Sequence, residues 1–406
     1  MKDVAARLAD LRRRGLHRRL RTIEGPQRSR VRLDGGEALL LCSNNYLGLA
    51  DHPKVRAAAA DAAERYGAGA GGSRLISGTM TLHRTLEERL ADFKGTEAAL
   101  LFGSGYLANT GTVAALGGPG EVVFSDELNH ASIIDGCRLS RSEVFVYRHR
   151  DTEHLEWGLR RAGSRASLIV TDGVFSMDGD IAPLPELHDL AARHDCMLMV
   201  DEAHGTGALG PGGRGSVAAA GLTGHVDVVV GTLGKALGSY GAYVCASGQV
   251  AELLLNTARP FIYSTAPPPP SVGAALAALS ILREHPGIVE QLRRNAATLR
   301  EALGAYGLDL GDSRTQIVPV LVGEARRALS LCEHALERGV FAQAIRPPTV
   351  PEGTSRLRLA VMATHSADEL RGAARVIGQA AREVGIAQAP AGRAATGEHA
   401  RVERAA

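Results

Sequence analysis

The sequence predicts an α/β protein, with a large domain built on a mainly parallel sheet and a smaller α+β domain towards the C-terminus. Between Glu97 and about Ser247, short β-branched and apolar runs alternate with stretches of helical period, the pattern of strands joined by crossover helices. Most of these runs lead into residues that can do chemistry, such as glycine, histidine, aspartate or lysine. Ligands of open α/β sheets bind at those carboxyl ends. Beyond about Pro286 the order becomes helix, strand, helix, strand and helix.

The bulk properties narrow the class. A chain of 406 residues, 45% apolar and 22% charged, is long enough for a large domain and a satellite. A net charge of +2 makes no case for nucleic acid or a membrane surface as partner. Cys42, Cys137, Cys196, Cys245 and Cys332 form neither a disulfide framework nor a zinc pattern. No run approaches about eighteen apolar residues, and the start lacks a signal peptide's apolar region, so the expected location is cytoplasmic.

Residues 1–45 read as an N-terminal arm. Leu8, Leu11, Leu16 and Leu20 recur at helical spacing among Arg12–Arg14 and Arg18–Arg21, which favours a solvated amphipathic helix. The second reading is an arm that carries an arginine to an acidic substrate. Strand-like pieces follow at Arg30–Leu33 and Ala38–Leu41, then the polar turn Ser43–Tyr46.

The large domain is expected over 46–285. Pro53–Tyr66 is alanine-rich and opens on proline, as helices do, and Leu82–Lys94 puts Leu82, Leu86, Leu90 and Phe93 on one helical face. Between them Gly67–Gly72 matches Gly-x-Gly-x-x-Gly, but it follows a helix rather than a strand, so it reads as a flexible loop and not a dinucleotide fingerprint. Strands are expected at Ala98–Phe102, Val122–Ser125, Val144–Tyr147, Leu168–Thr171, Met197–Asp201, Val226–Gly231 and Ala242–Ala246, with a helix at Leu184–His194 among those between. Gly103–Asn109 is a glycine turn that opens a helix; its free N–H groups suit a phosphate, or simply start a helix. His130 is either a solvated helix N-terminal residue or a ring able to stack on a cofactor.

After Pro260–Thr265, the run Pro267–Pro270 marks a rigid turn, and helices are expected over about Val272–Leu282 and Ile288–Tyr306. Residues 286–387 form the smaller domain, with a strand at Ile317–Val322 and a helix at Ala325–Arg338. Residues 388–406 lack apolar periodicity and are expected to be a disordered tail.

The chemistry is concentrated at two strand ends. The only lysines are Lys2, Lys54, Lys94 and Lys235, and Lys235 alone sits in a small-residue turn after a strand. A partly desolvated lysine supplies a neutral amine near pH 7, which arginine cannot, so a Schiff base to a carbonyl cofactor fits. A phosphate-gripping Walker loop fails here, because Val229 and Ala236 stand where glycine and Ser/Thr are needed. Cys196–Gly207 ends another apolar run in Asp201, Glu202 and His204. A carboxylate there, with Lys235 at a later strand end, suits pyridoxal 5'-phosphate: the aspartate keeps the pyridine nitrogen protonated while the lysine carries the aldehyde. No metal-ligand spacing supports a metal at Asp201 and His204.

These residues resemble a known family, the α-oxoamine synthases, which are fold-type I pyridoxal-phosphate transferases. The resemblance runs from about Arg18 to residue 384. It rests on Ser43–Leu49, Asn129–Ser132, Asp172–Asp180, Val200–Gly207, Thr232–Lys235 and Ile262–Thr265, in the family's order. Within the family, Arg346–Leu359 is most like the members of biotin formation. Ser73 stands where glycine-using relatives have threonine, which is consistent with alanine. Asn45 departs from an aspartate common in the biotin branch.

The resemblance implies decarboxylative condensation of L-alanine with a pimeloyl thioester, carried on CoA or acyl carrier protein. It implies Lys235, His130 and Asp201 as catalytic residues. Gly105, Tyr106, Ser176, His204, Thr232 and Thr265 join these three around the cofactor. Substrate falls to Arg18, Asn44, His130, Thr349 and Arg358. It also implies a homodimer with shared sites, in which Asn44 and Thr265 act across subunits. A sister synthase with another acyl donor or with glycine or serine, and a non-catalytic scaffold, are the rival readings. The intact Asp201, His204 and Lys235 argue against the scaffold.

Overall fold

The computed structural model describes residues 3–18 and 20–386; the tail expected at 388–406 lies outside the described residues. A seven-stranded sheet forms the centre, in the order Ala98–Phe102, Ala242–Ala246, Val228–Thr232, Met197–Asp201, Ala166–Asp172, Val122–Asp126 and Glu143–Tyr147. Ala242–Ala246 runs antiparallel to both neighbours, and the other pairings are parallel. Six carboxyl ends therefore share one edge.

The strands read as continuous apolar runs because both faces are covered. Leu101, Ile169, Val200 and Val229 join one core cluster, while their immediate neighbours Leu100, Val170, Met199 and Val230 join another on the opposite face. Each large aliphatic side chain so buried contributes about 1.5–3 kcal/mol. The helix Pro53–Tyr66 packs along Pro269–Glu284 as part of this cover.

Two smaller sheets lie outside the central one. Ile317–Gly323, Ser355–Ala360 and Gln343–Ile345 form an antiparallel sheet in that order. The N-terminal strands Ile23–Glu24, Arg30–Leu33 and Gly36–Leu40 are antiparallel, and Gly36–Leu40 pairs in parallel with Val340–Phe341. Val31, Leu33, Leu40, Phe341 and Met362 share a small core, so the N-terminal strands pack against the C-terminal region.

Three elements differ from the sequence reading. The N-terminal helix spans only Val4–Arg13 and buries nothing; Gly15, at φ +65°, follows its end, so Leu16, Arg18 and Leu20 lie on non-helical chain. The proline run is half turn and half helix. Pro269 and Pro270 begin the helix Pro269–Glu284, where a missing N–H costs little. The expected strand from Val226 begins at Val228, because Asp227 turns its carboxylate to the Leu198 N–H at 2.8 Å. Among the described residues no single helix is long and apolar enough to cross a membrane.

Candidate active site

The lysine turn is locked from two sides. Thr232, the last residue of its strand, donates its hydroxyl to the Gly241 carbonyl (3.1 Å) and accepts the Gly234 N–H (3.2 Å), closing the loop around Lys235. Gly238 takes φ +59°, and a Cβ there would lie 2.4 Å from the Ala50 nitrogen. Only glycine lets this turn meet the segment that carries Asn44 and Tyr46.

A continuous polar chain runs from Lys235 to the small domain. Lys235 Nζ lies 2.8 Å from His204 Nε2, and His204 Nδ1 lies 2.6 Å from the Tyr46 hydroxyl. That hydroxyl donates to Asn44 Oδ1 (3.0 Å), which also accepts both terminal nitrogens of Arg358 at 3.3 Å. Arg358 Nε donates to the Ser176 carbonyl. Burial lowers the Lys235 pKa to about 8; the Asp201 and Asp172 carboxylates resist the fall and Arg358 adds to it. Burial, with Lys235 and Arg358 beyond it, holds His204 well below its ordinary value, so the ring is neutral. One consistent assignment has Nε2 accepting from the ammonium and Nδ1–H donating to Tyr46.

The carboxylate side is equally connected. Asp201 is buried at its strand end, where Oδ2 accepts from Asn109 Nδ2 (2.6 Å) and Oδ1 from the Ala203 N–H (2.7 Å). Asn109 also donates to Ser132 Oγ at 2.9 Å, and that hydroxyl lies 2.7 Å from His130 Nδ1. Asp172 stands opposite Asp201 in the parallel register and accepts the His130 N–H at 2.9 Å. Burial, then the Asp201 charge, raises the Asp172 pKa well above the carboxylate range, so the pair need not hold two full charges. His130 is accessible to solvent yet crowded by the site; the partial desolvation lowers its pKa, with Asp201 opposing and Lys235 adding.

Other expected residues lie farther out. Gly105 and Tyr106 open the helix Gly105–Leu116, and their N–H groups have no acceptor among the described residues. A Cβ on Gly105 would meet nothing within 4 Å. The Tyr106 side chain is exposed, with its hydroxyl on Asp135. Thr265 is exposed and bridges Ser73 backbone to backbone. Arg18 donates to Thr349 Oγ1 at 3.2 Å, so these two meet each other, and Arg346 reaches the Gly15 carbonyl beside them. Tyr46, Asn109 and Asp172 were given no role from the sequence, although each stands in or beside a motif quoted above. Gln316 was missed altogether; its amide donates to the His204 carbonyl at 2.8 Å.

Residues 37–377 match the model of the family described as "Aminotransferase class I and II". The chain is 55% identical over 388 residues to 8-amino-7-oxononanoate synthase of Geobacter sulfurreducens, covering 95% of this chain and 99% of that one. The chain belongs to the α-oxoamine synthases. Among solved structures, a serine palmitoyltransferase of Sphingomonas wittichii superposes with a TM-score of 0.89 at 34% identity, covering 94% of this chain and 97% of that one. An 8-amino-7-oxononanoate synthase from Francisella tularensis gives 0.75 at 28% identity, covering 85% and 98%. The fold is thus the fold-type I arrangement of this family.

The α-oxoamine synthase site fits pyridoxal phosphate on its own features. Asp201 is a buried carboxylate with no ion-pair partner among the described residues, suited to a pyridinium. The N–H groups of Gly105 and Tyr106, at a helix start, have no acceptor among the described residues and suit a phosphate. Lys235 is desolvated enough to offer a neutral amine. Among the described residues no group of three or more His, Cys, Asp or Glu could hold a metal.

Proposed function

We propose that this α-oxoamine synthase condenses L-alanine with a pimeloyl thioester, on CoA or acyl carrier protein, to give 8-amino-7-oxononanoate, carbon dioxide and the free carrier thiol. The observation that carries the reading is the joined set of Lys235, His204, Tyr46, Asn44 and Arg358, in which an amine with its pKa near 8 is wired to an arginine that has no carboxylate partner among the described residues. The product is the one that names the Geobacter relatives. Alanine and a seven-carbon diacid, less one carbon dioxide, supply its carbon skeleton.

Pyridoxal phosphate, when bound, supplies an aldehyde for the amino group and a pyridinium that accepts the electrons of a Cα carbanion. Lys235 would hold the cofactor in the resting enzyme, and its free amine would serve as the base for the Cα proton. Asp201, oriented by Asn109 and the Ala203 N–H, would hold the pyridine nitrogen protonated. His130, oriented through Ser132 and Asp172, would be placed to stack on the cofactor ring. Gly105 and Tyr106 would flank the phosphate and ring, Thr232 would bind the phosphate, and Ser176, His204 and Thr265 would contact the cofactor. Arg358 meets the alanine carboxylate as a two-pronged donor. Arg18, Asn44 and Thr349 would hold substrate, with Arg18 either a partner for the terminal carboxylate of pimeloyl or a second substrate contact. Ser73 leaves room for the alanine methyl. The active unit is a homodimer in the cytoplasm, with Thr265 serving the neighbouring site; Asn44, expected to act across subunits, instead joins Tyr46 and Arg358 of its own chain. The organisation proposed is a large domain over 46–285 and a small domain over 286–387, with the strands of the 1–45 arm packed onto the latter.

A second reading, serine with a long acyl thioester, is favoured by the higher TM-score of the serine palmitoyltransferase. The higher identity to the Geobacter enzymes weighs against it. Mass spectrometry of products from competing thioesters decides: holoenzyme with alanine, glycine and serine and equal pimeloyl-, succinyl- and palmitoyl-CoA is expected to yield 8-amino-7-oxononanoate first. Faster formation of a glycine–succinyl or serine–palmitoyl product overturns the assignment.

A further inference from the structure

Arg300 carries a charge that the protein does not answer. It is half-buried on the helix Gly287–Gly304, and its Nη1 donates to the Thr315 carbonyl. Among the described residues no carboxylate pairs with it. Burial lowers its pKa with no neighbouring anion to raise it again. A desolvated guanidinium without a counter-charge is costly. The fully buried arginines differ: Arg74 pairs with Glu87 at 2.7 Å, Arg356 pairs with Asp178, and Arg358 belongs to the active site.

Arg300 lines a cavity of about 330 Å³ between its helix and the segment Arg314–Gln316. Arg293, Arg294 and Arg314 line it too, against one carboxylate, Glu290, which Arg293 already engages at 3.1 Å. Among the described residues the Arg294 side chain is bonded only to Gln291 Oε1, and the Arg314 side chain has no partner. Several arginines converging on a concave, part-apolar wall raise the local concentration of anions, and planar forks match phosphate oxygens two at a time.

We infer that this cavity is a second ligand site, which binds a small phosphate-bearing anion on Arg294, Arg300 and Arg314. It is separate from the active site but shares a wall with it. Gln316 lines the cavity while its amide holds the His204 carbonyl at 2.8 Å, and His204 touches Lys235. Occupancy is therefore expected to reach Lys235 through one side chain. The inference does not depend on which thioester the enzyme uses.

Calorimetric titration of the holoenzyme at fixed ionic strength tests it, with inorganic pyrophosphate and ADP as separate probes. One saturable site per chain is expected, weakened about tenfold or more by Arg300→Gln and by Arg314→Gln. Tighter binding of ADP identifies a nucleotide as the ligand; tighter binding of pyrophosphate identifies a free phosphate compound. Arg314 is exposed and its side chain unbonded, so its replacement tests the site even if Arg300→Gln fails to fold. The inference falls if no saturable binding occurs at millimolar concentrations. It also falls if the soluble variants bind as tightly as the parent, or if CoA displaces a probe whose binding neither variant weakens.

Discussion

The two walls of the active site treat charge in opposite ways. On the sheet wall, Asp201 is met by Asn109 and the Ala203 N–H, His130 by Ser132 and Asp172, and Lys235 by His204. On the small-domain wall, Arg356 and Arg358 point to the same side of one strand, two residues apart and both buried. Arg356 has Asp178 as its counter-charge, whereas Arg358 has no carboxylate partner among the described residues and donates to the neutral oxygens of Asn44 and Ser176. A wall whose groups satisfy one another holds a fixed geometry. A wall left one negative charge short recognises an anion that arrives.

The largest test of this contrast removes the centre of the sheet wall. Lys235→Ala is expected to lower product formation about 10³-fold or more, in line with loss of a general base and of the covalent anchor. It should also abolish the borohydride-reducible cofactor linkage in a peptide map. A cofactor carried by another lysine would break the assignment of that wall.

The next test is thermodynamic. Lys235 has a pKa of about 8 when folded, against an ordinary 10.5 when unfolded. Between those values the unfolded chain holds a proton that the folded chain has released, so stability of the cofactor-free protein rises with pH from about 8 to about 10.5. Below pH 8 the full penalty of a buried ammonium is present, roughly 3 kcal/mol. Cofactor-free Lys235→Met should therefore melt higher than its parent at pH 7 and lose that advantage near pH 11. Equal melting temperatures at pH 7 would mean that the amine is not desolvated.

Arg358→Lys probes the open wall. An ammonium cannot reproduce the planar fork, so alanine affinity should fall by about 1–3 kcal/mol, read from equilibrium titration of the holoenzyme, with cofactor content unchanged. Unchanged affinity would take Arg358 out of recognition. Tyr46→Phe sharpens the comparison most finely, since Tyr46 joins the two walls through His204 and Asn44. Loss of about 1 kcal/mol in kcat/KM for alanine is expected, with a shifted alkaline limb in the pH profile. An unmoved profile would make the link between the walls structural only.

The sequence made the two walls unequally visible. The strands and the Lys235 and Asp201 ends could be read because two covered faces force long apolar runs, and a lysine in an arginine-rich chain stands out. Arg18 was grouped with a helix that Gly15 cuts short, and periodicity alone gives no weight to one left-handed residue. Tyr46, Asn109 and Gln316 act across 158, 92 and 112 residues of sequence. Their roles come from the third dimension, and no local pattern distinguishes them from ordinary polar residues.

The parallel pairing of Leu39 with Val340 has a consequence for how the protein is made. About 300 residues separate the partners, so at about 5–20 residues per second the first strands leave the ribosome roughly 15–60 s before their neighbour exists. Throughout that interval Val31, Leu33 and Leu40 lack Phe341 and Met362 to cover them. The nascent chain thus carries an unpaired apolar edge through most of its synthesis, a window in which holdase chaperones can bind and a C-terminally truncated product would aggregate.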